Sequence, residues 1–183
     1  MQKLIVFLLV VSMHFLVRAA NGPTRDEVVR LVSKEAHEIL GQRRGDFIVP
    51  HELVADALVS PLGVPEPDGV REISANIFLV AGCRPHSCDE KAIAIADVAS
   101  SRILASGLRH FHCRRELAPD SSRGNVKDQV SCDSSPTLTI FLYKYKNGKR
   151  SVLSDDQLIE NIRTWASNVG GGAERLERIL VPR

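Results

Sequence analysis

The run Ile77-Phe78-Leu79-Val80-Ala81-Gly82, then Cys83-Arg84-Pro85-His86-Ser87-Cys88, then Lys91-Ala92-Ile93-Ala94-Ile95-Ala96 organises this chain. Its two outer parts are short apolar segments of strand composition, and they flank six residues that begin and end with cysteine. The cysteine-bounded segment stands where a connection between two strands emerges from a sheet. We therefore predict two neighbouring antiparallel strands joined by a short loop.

The loop between Cys83 and Cys88 holds one histidine, His86, beside a proline that fixes its own φ angle. If the two cysteines close the loop, the segment loses most of its conformational freedom before any encounter. A receptor for the imidazole then bears little of the ordering cost. This pattern indicates binding rather than catalysis.

Four cysteines, Cys83, Cys88, Cys113 and Cys132, give an even count, which favours two disulfides in an exported chain. Three pairings are formally open. The local pairing joins Cys83 to Cys88 and Cys113 to Cys132, and we favour it. Its second bond would restrain the polar residues 114–131, which would otherwise be free to move.

The first nineteen residues have the features of a signal peptide. Lys3 supplies the positive start, residues 4–17 are almost wholly apolar, and Val17-Arg18-Ala19 is a small-residue processing site. The apolar stretch is shorter than the about 20 residues that a permanent spanning helix needs. We expect cleavage after Ala19, export to the periplasm, and one domain over residues 20–183 with no membrane association after processing.

Charge argues against two classes of partner. The whole chain carries 24 basic and 22 acidic residues, and removal of Lys3 and Arg18 with the signal peptide leaves equal numbers. A neutral chain has no field to attract phosphate backbones or anionic lipid. We therefore expect neither nucleic acid nor a membrane surface as a partner.

Two helices are predicted at the ends of the domain. Thr24 with Glu27 forms a capping box before a helix that Gly41 ends. Ser154 with Gln157 opens the last helix, and the glycines at 170–172 end it. The apolar faces of these helices are Val28, Leu31, Val32, Ala36 and Ile39, and then Leu158, Ile162, Trp165 and Val169. We assign Trp165 to the core rather than to an interface.

The middle of the chain is predicted to be mostly strand. Residues 70–80, 92–98, 102–108 and 136–146 have strand composition, and Asn147-Gly148 is a hairpin-type turn. Prolines at 50, 61, 65 and 67 break residues 41–69 into short pieces, with one or two helical turns within 51–59. The predicted class is α+β: a single domain whose central antiparallel sheet of about five strands is flanked by helices, with a protruding disulfide-closed loop.

Residues 76–108 resemble the inhibitor of vertebrate lysozyme family, periplasmic proteins of Gram-negative bacteria whose signature is a C-x-P-H-x-C loop between two strands. The hexapeptide of this chain matches all four defining positions: Cys83, Pro85, His86 and Cys88. The resemblance implies that the loop protrudes, is closed by a disulfide from Cys83 to Cys88, and enters the active-site cleft of C-type lysozyme. There His86 would meet the two catalytic carboxyl groups.

Two neighbours of the histidine bear on that role. Arg84 could pair with acidic groups that line a sugar-binding cleft. Ser87 stands where the family often has aspartate, which affects affinity and target preference. The neutral charge of the processed chain also removes a source of attraction to a strongly basic enzyme.

The histidines and their neighbours allow other interpretations. His86 could be a solvated residue in a purely structural staple. A zinc site of Cys83, His86 and Cys88 requires reduced thiolates in an exported chain and is disfavoured. His110 and His112 could share a strand face and chelate a metal with some partner, although we expect this pair simply to be exposed.

Enzyme signatures are sparse, so we expect no enzyme and no cofactor. His51-Glu52 begins a zincin pattern, but Ala55 stands where the second histidine belongs. No G-x-S-x-G sequence occurs. The alternative function is a divergent periplasmic binding or scaffold module of the same fold that controls lytic transglycosylases without inhibiting lysozyme. Homodimer formation through a sheet edge or the last helix remains open.

Overall fold

The computed structural model describes residues 22–119, 126–145, 152–168 and 175–182. Several predicted features lie outside these residues. They are the signal peptide, the Asn147-Gly148 turn, Val169 and the glycines at 170–172.

Helices and strands alternate irregularly along the described residues, which gives an α+β architecture. The helices are α1 (Arg25–Leu40), α2 (Val54–Val59) and α3 (Asp155–Asn168), and a short 3-10 helix spans Ser60–Gly63. The strands are β1 (Arg44–Gly45), β2 (Glu52–Leu53), β3 (Val64–Ser74), β4 (Ile77–Arg84), β5 (Ser87–Asp97), β6 (Arg102–His110), β7 (Cys113–Pro119), β8 (Val126–Cys132), β9 (Thr137–Lys144) and β10 (Arg175–Pro182).

The main sheet has six strands within the described residues, in the order β10-β9-β6-β5-β4-β3. All neighbours are antiparallel except β10, which runs parallel to β9. The prediction of an antiparallel sheet of about five strands was therefore wrong for β10, which is a sixth strand and is parallel to its neighbour. The physical reason is that α3 lies between β9 and β10 along the chain, and a helical crossover returns the chain in the same direction.

Helices cover both faces of this sheet. One apolar cluster joins α1 and α2 to alternate sheet residues such as Phe78 and Val80, and the other joins α3 to the intervening residues Ile77 and Leu79. Because both faces are buried, the central strands are apolar at nearly every position rather than at every second one. The prediction of a sheet flanked by helices is confirmed.

Both predicted helix starts are confirmed by their hydrogen bonds. Glu27 N donates to Thr24 Oγ1 over 3.3 Å, and Thr24 N donates to Glu27 Oε2 over 2.8 Å. Ser154 N donates in the same way to the side chain of Gln157 over 2.8 Å. Trp165 is buried in the α3 cluster, as predicted, and its Nε1 donates to Glu66 Oε2 over 2.9 Å.

Two predicted segments differ from the structure. Residues 70–80 belong to two strands, β3 and β4, which a turn at Asn76 with a φ of 61° separates. The prolines at 65 and 67 lie within β3, which tolerates them because it is an edge strand. The residues between Cys113 and Cys132, for which no strand was predicted, include the two strands β7 and β8, which pair antiparallel with these cysteines opposite each other.

None of the described helices has the length and apolar character needed to cross a bilayer.

Candidate functional site

The predicted cysteine loop is the tip of a hairpin between β4 and β5. Arg84 pairs with Ser87 across the two strands, so Pro85 and His86 form a two-residue turn. A disulfide joins Cys83 to Cys88 just behind the turn. Both predicted disulfides are present, the second joining Cys113 to Cys132.

His86 is exposed at the end of this hairpin, and its backbone is in the left-handed region with a φ of 66°. Proline followed by a residue with positive φ is the pattern of a type II turn, in which glycine or asparagine usually takes the second place. Histidine accepts this conformation more readily than most side chains do, at some cost in free energy. The turn therefore holds an imidazole where glycine would be less strained.

The base of the hairpin packs tightly against the 3-10 helix. A Cβ added to Gly82 would lie 2.4 Å from Pro61 O and 2.5 Å from Val64 O, so only glycine fits there. Arg25 of α1 reaches the same place, because its Nη2 donates to the carbonyl oxygens of Leu62 and Ala81. The hairpin thus rises from a backbone that is supported on one side by α1 and the 3-10 helix.

An ion pair supports the hairpin on its second strand. Arg84 Nη1 lies 2.6 Å from Glu90 Oε2, and the Glu90 side chain is only 8% exposed. The register of β4 and β5 shifts at this point, since Arg84 pairs with Ser87 while Cys83 pairs with Lys91. Arg109 of β6 donates to the carbonyl oxygen of Asp89 in the resulting bulge. Arg84 is therefore engaged within the protein.

A third carboxyl group, that of Glu52 in β2, interacts electrostatically with this pair. Its Oε1 accepts hydrogen bonds from Ile48 N over 2.6 Å and from Val49 N over 2.7 Å. Burial raises the pKa of the Glu52 carboxyl above its ordinary value, and the charge of Glu90 acts in the same direction, while the two N–H groups and Arg84 oppose the rise. The Arg84 guanidinium therefore interacts with two carboxyl groups.

The prediction that His110 and His112 are simply exposed was wrong. His110 is fully buried, and the two rings pack edge to face with their centroids 4.6 Å apart. The reason is that His110 ends the central strand β6, where Phe47 covers it with a ring centroid distance of 5.0 Å. His112 Nε2 lies 3.5 Å from Glu177 Oε1, a carboxylate that β10 brings to this end of the sheet.

The described residues hold no group of three or more His, Cys, Asp or Glu side chains arranged to bind a metal ion. The zinc interpretation of Cys83, His86 and Cys88 fails for a separate reason. Both sulfur atoms are in the disulfide, so neither is available as a thiolate ligand.

Sequence reasoning located the hairpin but missed the residues that support it. Gly82 directly precedes the first cysteine and reads as an ordinary strand residue. Glu90 follows the second cysteine by two positions, a spacing that gave no reason to pair it with Arg84. Glu52 is 32 positions before Arg84, and nothing in the sequence connects them.

No protein-family model matches the chain, and neither does any curated protein or solved structure. The resemblance to the lysozyme-inhibitor family therefore depends on the hexapeptide and the strands that flank it.

Proposed function

We propose that this protein is a periplasmic inhibitor of C-type lysozyme that inserts the Cys83–Cys88 hairpin into the active-site cleft of the enzyme. The observation that carries the proposal is the exposed imidazole of His86 on a turn restrained by Pro85 and by the disulfide. The match of the hexapeptide to the family signature supplies the target.

The restraint of the hairpin supports a binding role. A flexible loop loses conformational entropy when a partner fixes it, which can cost about 1 kcal/mol for each ordered residue. Here the loop is already ordered during folding. The disulfide, the proline and the contacts of Gly82 with the 3-10 helix restrain it. Binding energy from the tip is then available for affinity.

The chemistry of imidazole suits the proposed target. C-type lysozymes keep one catalytic carboxyl group protonated in an apolar environment and the other ionised. A neutral imidazole has one N–H donor and one acceptor nitrogen in a rigid plane. His86 could therefore accept a hydrogen bond from the acid and donate one to the carboxylate, which would block the approach of a glycan.

Arg84 has a different role in this proposal from the one expected from sequence. Since its guanidinium pairs with Glu90, we assign it to the support of the hairpin rather than to contact with acidic groups of the cleft. Ser87, which is partly buried, pairs with Arg84 across the two strands.

The decisive experiment is an inhibition titration of hen egg-white lysozyme acting on peptidoglycan. The oxidised protein is compared with a Cys83→Ser/Cys88→Ser variant, and the Cys113→Ser/Cys132→Ser variant is the matched control for loss of a disulfide elsewhere. Inhibition by the wild type and by the control, with marked loss in the first variant, is the expected result. Absence of inhibition by the folded, oxidised wild type would refute the proposal.

Retention on immobilised proteins distinguishes the proposed function from the alternative, a module that controls lytic transglycosylases. The same material is passed over columns that carry C-type lysozyme or a bacterial lytic transglycosylase. Retention on lysozyme supports the proposal. Retention on the transglycosylase alone would contradict it and would identify a module that restrains the enzymes of its own cell wall.

A further inference from the structure

A second turn lies at the hairpin end of the sheet. Residues 46–51 connect β1 to β2, and the turn ends at His51, an exposed histidine with a φ of 62°. Val49, in the same turn, is 46% exposed. The chain thus presents two exposed histidines, His51 and His86, each on a turn with left-handed backbone.

Hydrogen bonds from side chains hold the backbone of the turn. His51 N donates to Asp46 Oδ1 over 2.7 Å, and Arg44 Nη1 donates to His51 O over 2.9 Å. Glu52 accepts the two backbone N–H groups in the middle of the turn. On its inner side Phe47 is buried against the His110 ring, so the exposed face of the turn has a fixed orientation.

The register of the sheet and the contacts of the turn place it relative to the hairpin. Lys91 of β5, just after the hairpin, pairs with Arg109 of β6, so the end of β6 at His110 lies at the hairpin end of the sheet. Asp46 O lies 3.1 Å from His112 Nδ1, beyond the end of β6. The turn therefore lies at the same end of the sheet as His86.

An inhibitor must bury more surface than the hairpin tip offers, so a second contact is needed. A stable protein complex buries roughly 800 Å² on each partner, which takes about 20 or more residues a side. The hairpin tip alone is far smaller than this, since only a few residues around His86 are exposed there. Any partner that receives the tip must also touch the surface beside it.

We propose that Val49 and His51 form a second contact with the same C-type lysozyme, on the rim of the cleft that His86 enters. The inference rests on the proposed function and adds a residue pair that the hexapeptide does not contain. The apolar side chain of Val49 would lose exposed surface on binding, and the His51 ring would supply a hydrogen bond at the edge of the interface. The backbone of both residues is held in place before binding, so little of their contribution is offset by ordering of the main chain.

The test measures the dissociation constant of the complex with hen lysozyme for Val49→Asp and His51→Gly. Each has a matched control at the other end of the sheet. Val152→Asp replaces an exposed valine that precedes α3, and Ser101→Gly replaces an exposed residue whose φ of 53° is also left-handed. Glycine keeps both turns unstrained, so His51→Gly reports on the ring even if Val49→Asp disturbs folding.

We expect Val49→Asp to weaken binding by about 10-fold or more and His51→Gly by roughly 3-fold to 10-fold. Both controls should bind within about 2-fold of the wild type, which is the range typical of sites outside an interface. If the wild type binds and the two turn variants bind equally well, the second contact is overturned while the proposed function stands. If the wild type does not bind lysozyme, the proposed function fails and this inference fails with it.

Discussion

Arg84 Nη1 lies 2.6 Å from Glu90 Oε2, so the residue that precedes the Pro85-His86 turn is fixed to an almost completely buried carboxylate. Burial raises the pKa of the Glu52 carboxyl, and the charge of Arg84 acts in the opposite direction. Removal of the Arg84 cation would leave the Glu90 carboxylate without its partner. This relationship makes the hairpin sensitive to residues outside its tip.

Loss of Arg84 is expected to destabilise the protein more than loss of the Glu90 charge. Arg84→Met leaves the Glu90 carboxylate buried without its partner, at a cost of about 3 kcal/mol. Glu90→Gln leaves a guanidinium that is 37% exposed and can be hydrated, so we expect about 1 kcal/mol or less. Urea unfolding at pH 7.5 gives both values. The reverse order would show that the ion pair does not support the hairpin.

Replacement of His86 by glycine is expected to raise stability and to weaken inhibition. His86→Gly relieves a left-handed backbone and should raise the free energy of unfolding by roughly 0.5 to 1 kcal/mol. It removes the ring, so it should weaken lysozyme inhibition as much as His86→Ala does, by about 2 to 4 kcal/mol. Thermal unfolding and inhibition titration measure the two effects. Equal inhibition by wild type and either variant would remove His86 from the binding site.

Gly82→Ala should destabilise the protein by about 1 to 3 kcal/mol, because the added Cβ meets backbone atoms that cannot rotate away. Gly63→Ala is the matched control, since no atom lies within 4 Å of the Cβ that it would add. Denaturant midpoints of the two variants give the comparison. Equal midpoints would mean that the 3-10 helix does not support the base of the hairpin.

His110 should make the protein less stable at mildly acidic pH. Burial lowers its pKa from 6.5 to about 4, with the charge of His112 acting in the same direction and Asp133 opposing it. Because the folded pKa is below the unfolded one, the unfolded state binds the proton first, and stability falls as pH drops from about 6.5 towards 4. We expect a loss of about 2 kcal/mol between pH 7.5 and pH 5.

His110→Gln is the reference for this measurement. It keeps a polar side chain opposite Thr139, which lies 3.0 Å from His110 Nε2, but it does not titrate. Between pH 7.5 and pH 5 the free energy of unfolding should fall more in the wild type than in the variant, because the other titrating groups contribute equally to both. Parallel pH profiles would assign the acid sensitivity to residues other than His110.

His37 should make the protein less stable as the pH rises, the opposite of the effect of His110. Its hydrogen bond to Ser33 O over 2.7 Å and its contact with Asp56 Oδ1 over 3.0 Å raise its pKa above 6.5. The resulting stability is present below the unfolded pKa and is lost as pH rises through the folded pKa. The pair is largely exposed, so we expect less than about 1 kcal/mol, removed by His37→Gln. An unchanged profile between pH 6 and pH 8.5 in that variant would contradict this.

The local features of the chain could be predicted from the sequence because their causes are local. The capping box of Thr24 and Glu27 involves residues three apart, and the disulfides join cysteines that are 5 and 19 positions apart. The hairpin around His86 likewise depends on adjacent strands and a proline. In each case the residues that interact are neighbours in the sequence or belong to one hairpin.

The strand β10 and the environment of His110 could not be predicted, because both depend on contacts between distant segments. β10 is mostly exposed and alternates weakly, and it becomes a sheet strand only because α3 returns the chain beside β9. His110 is buried because Phe47, 63 positions earlier, packs over it.

Residue order alone thus indicates a restrained hairpin with His86 at its tip, since the two cysteines and the proline that restrain it lie within six consecutive residues. Folding adds what supports that hairpin: the close packing of Gly82 against Pro61 O and the ion pair of Arg84 with Glu90. These contacts form when helices cover both faces of the sheet and bring separate segments to one end. Packing and electrostatic energies depend on distance in space, which a linear order of residues does not record.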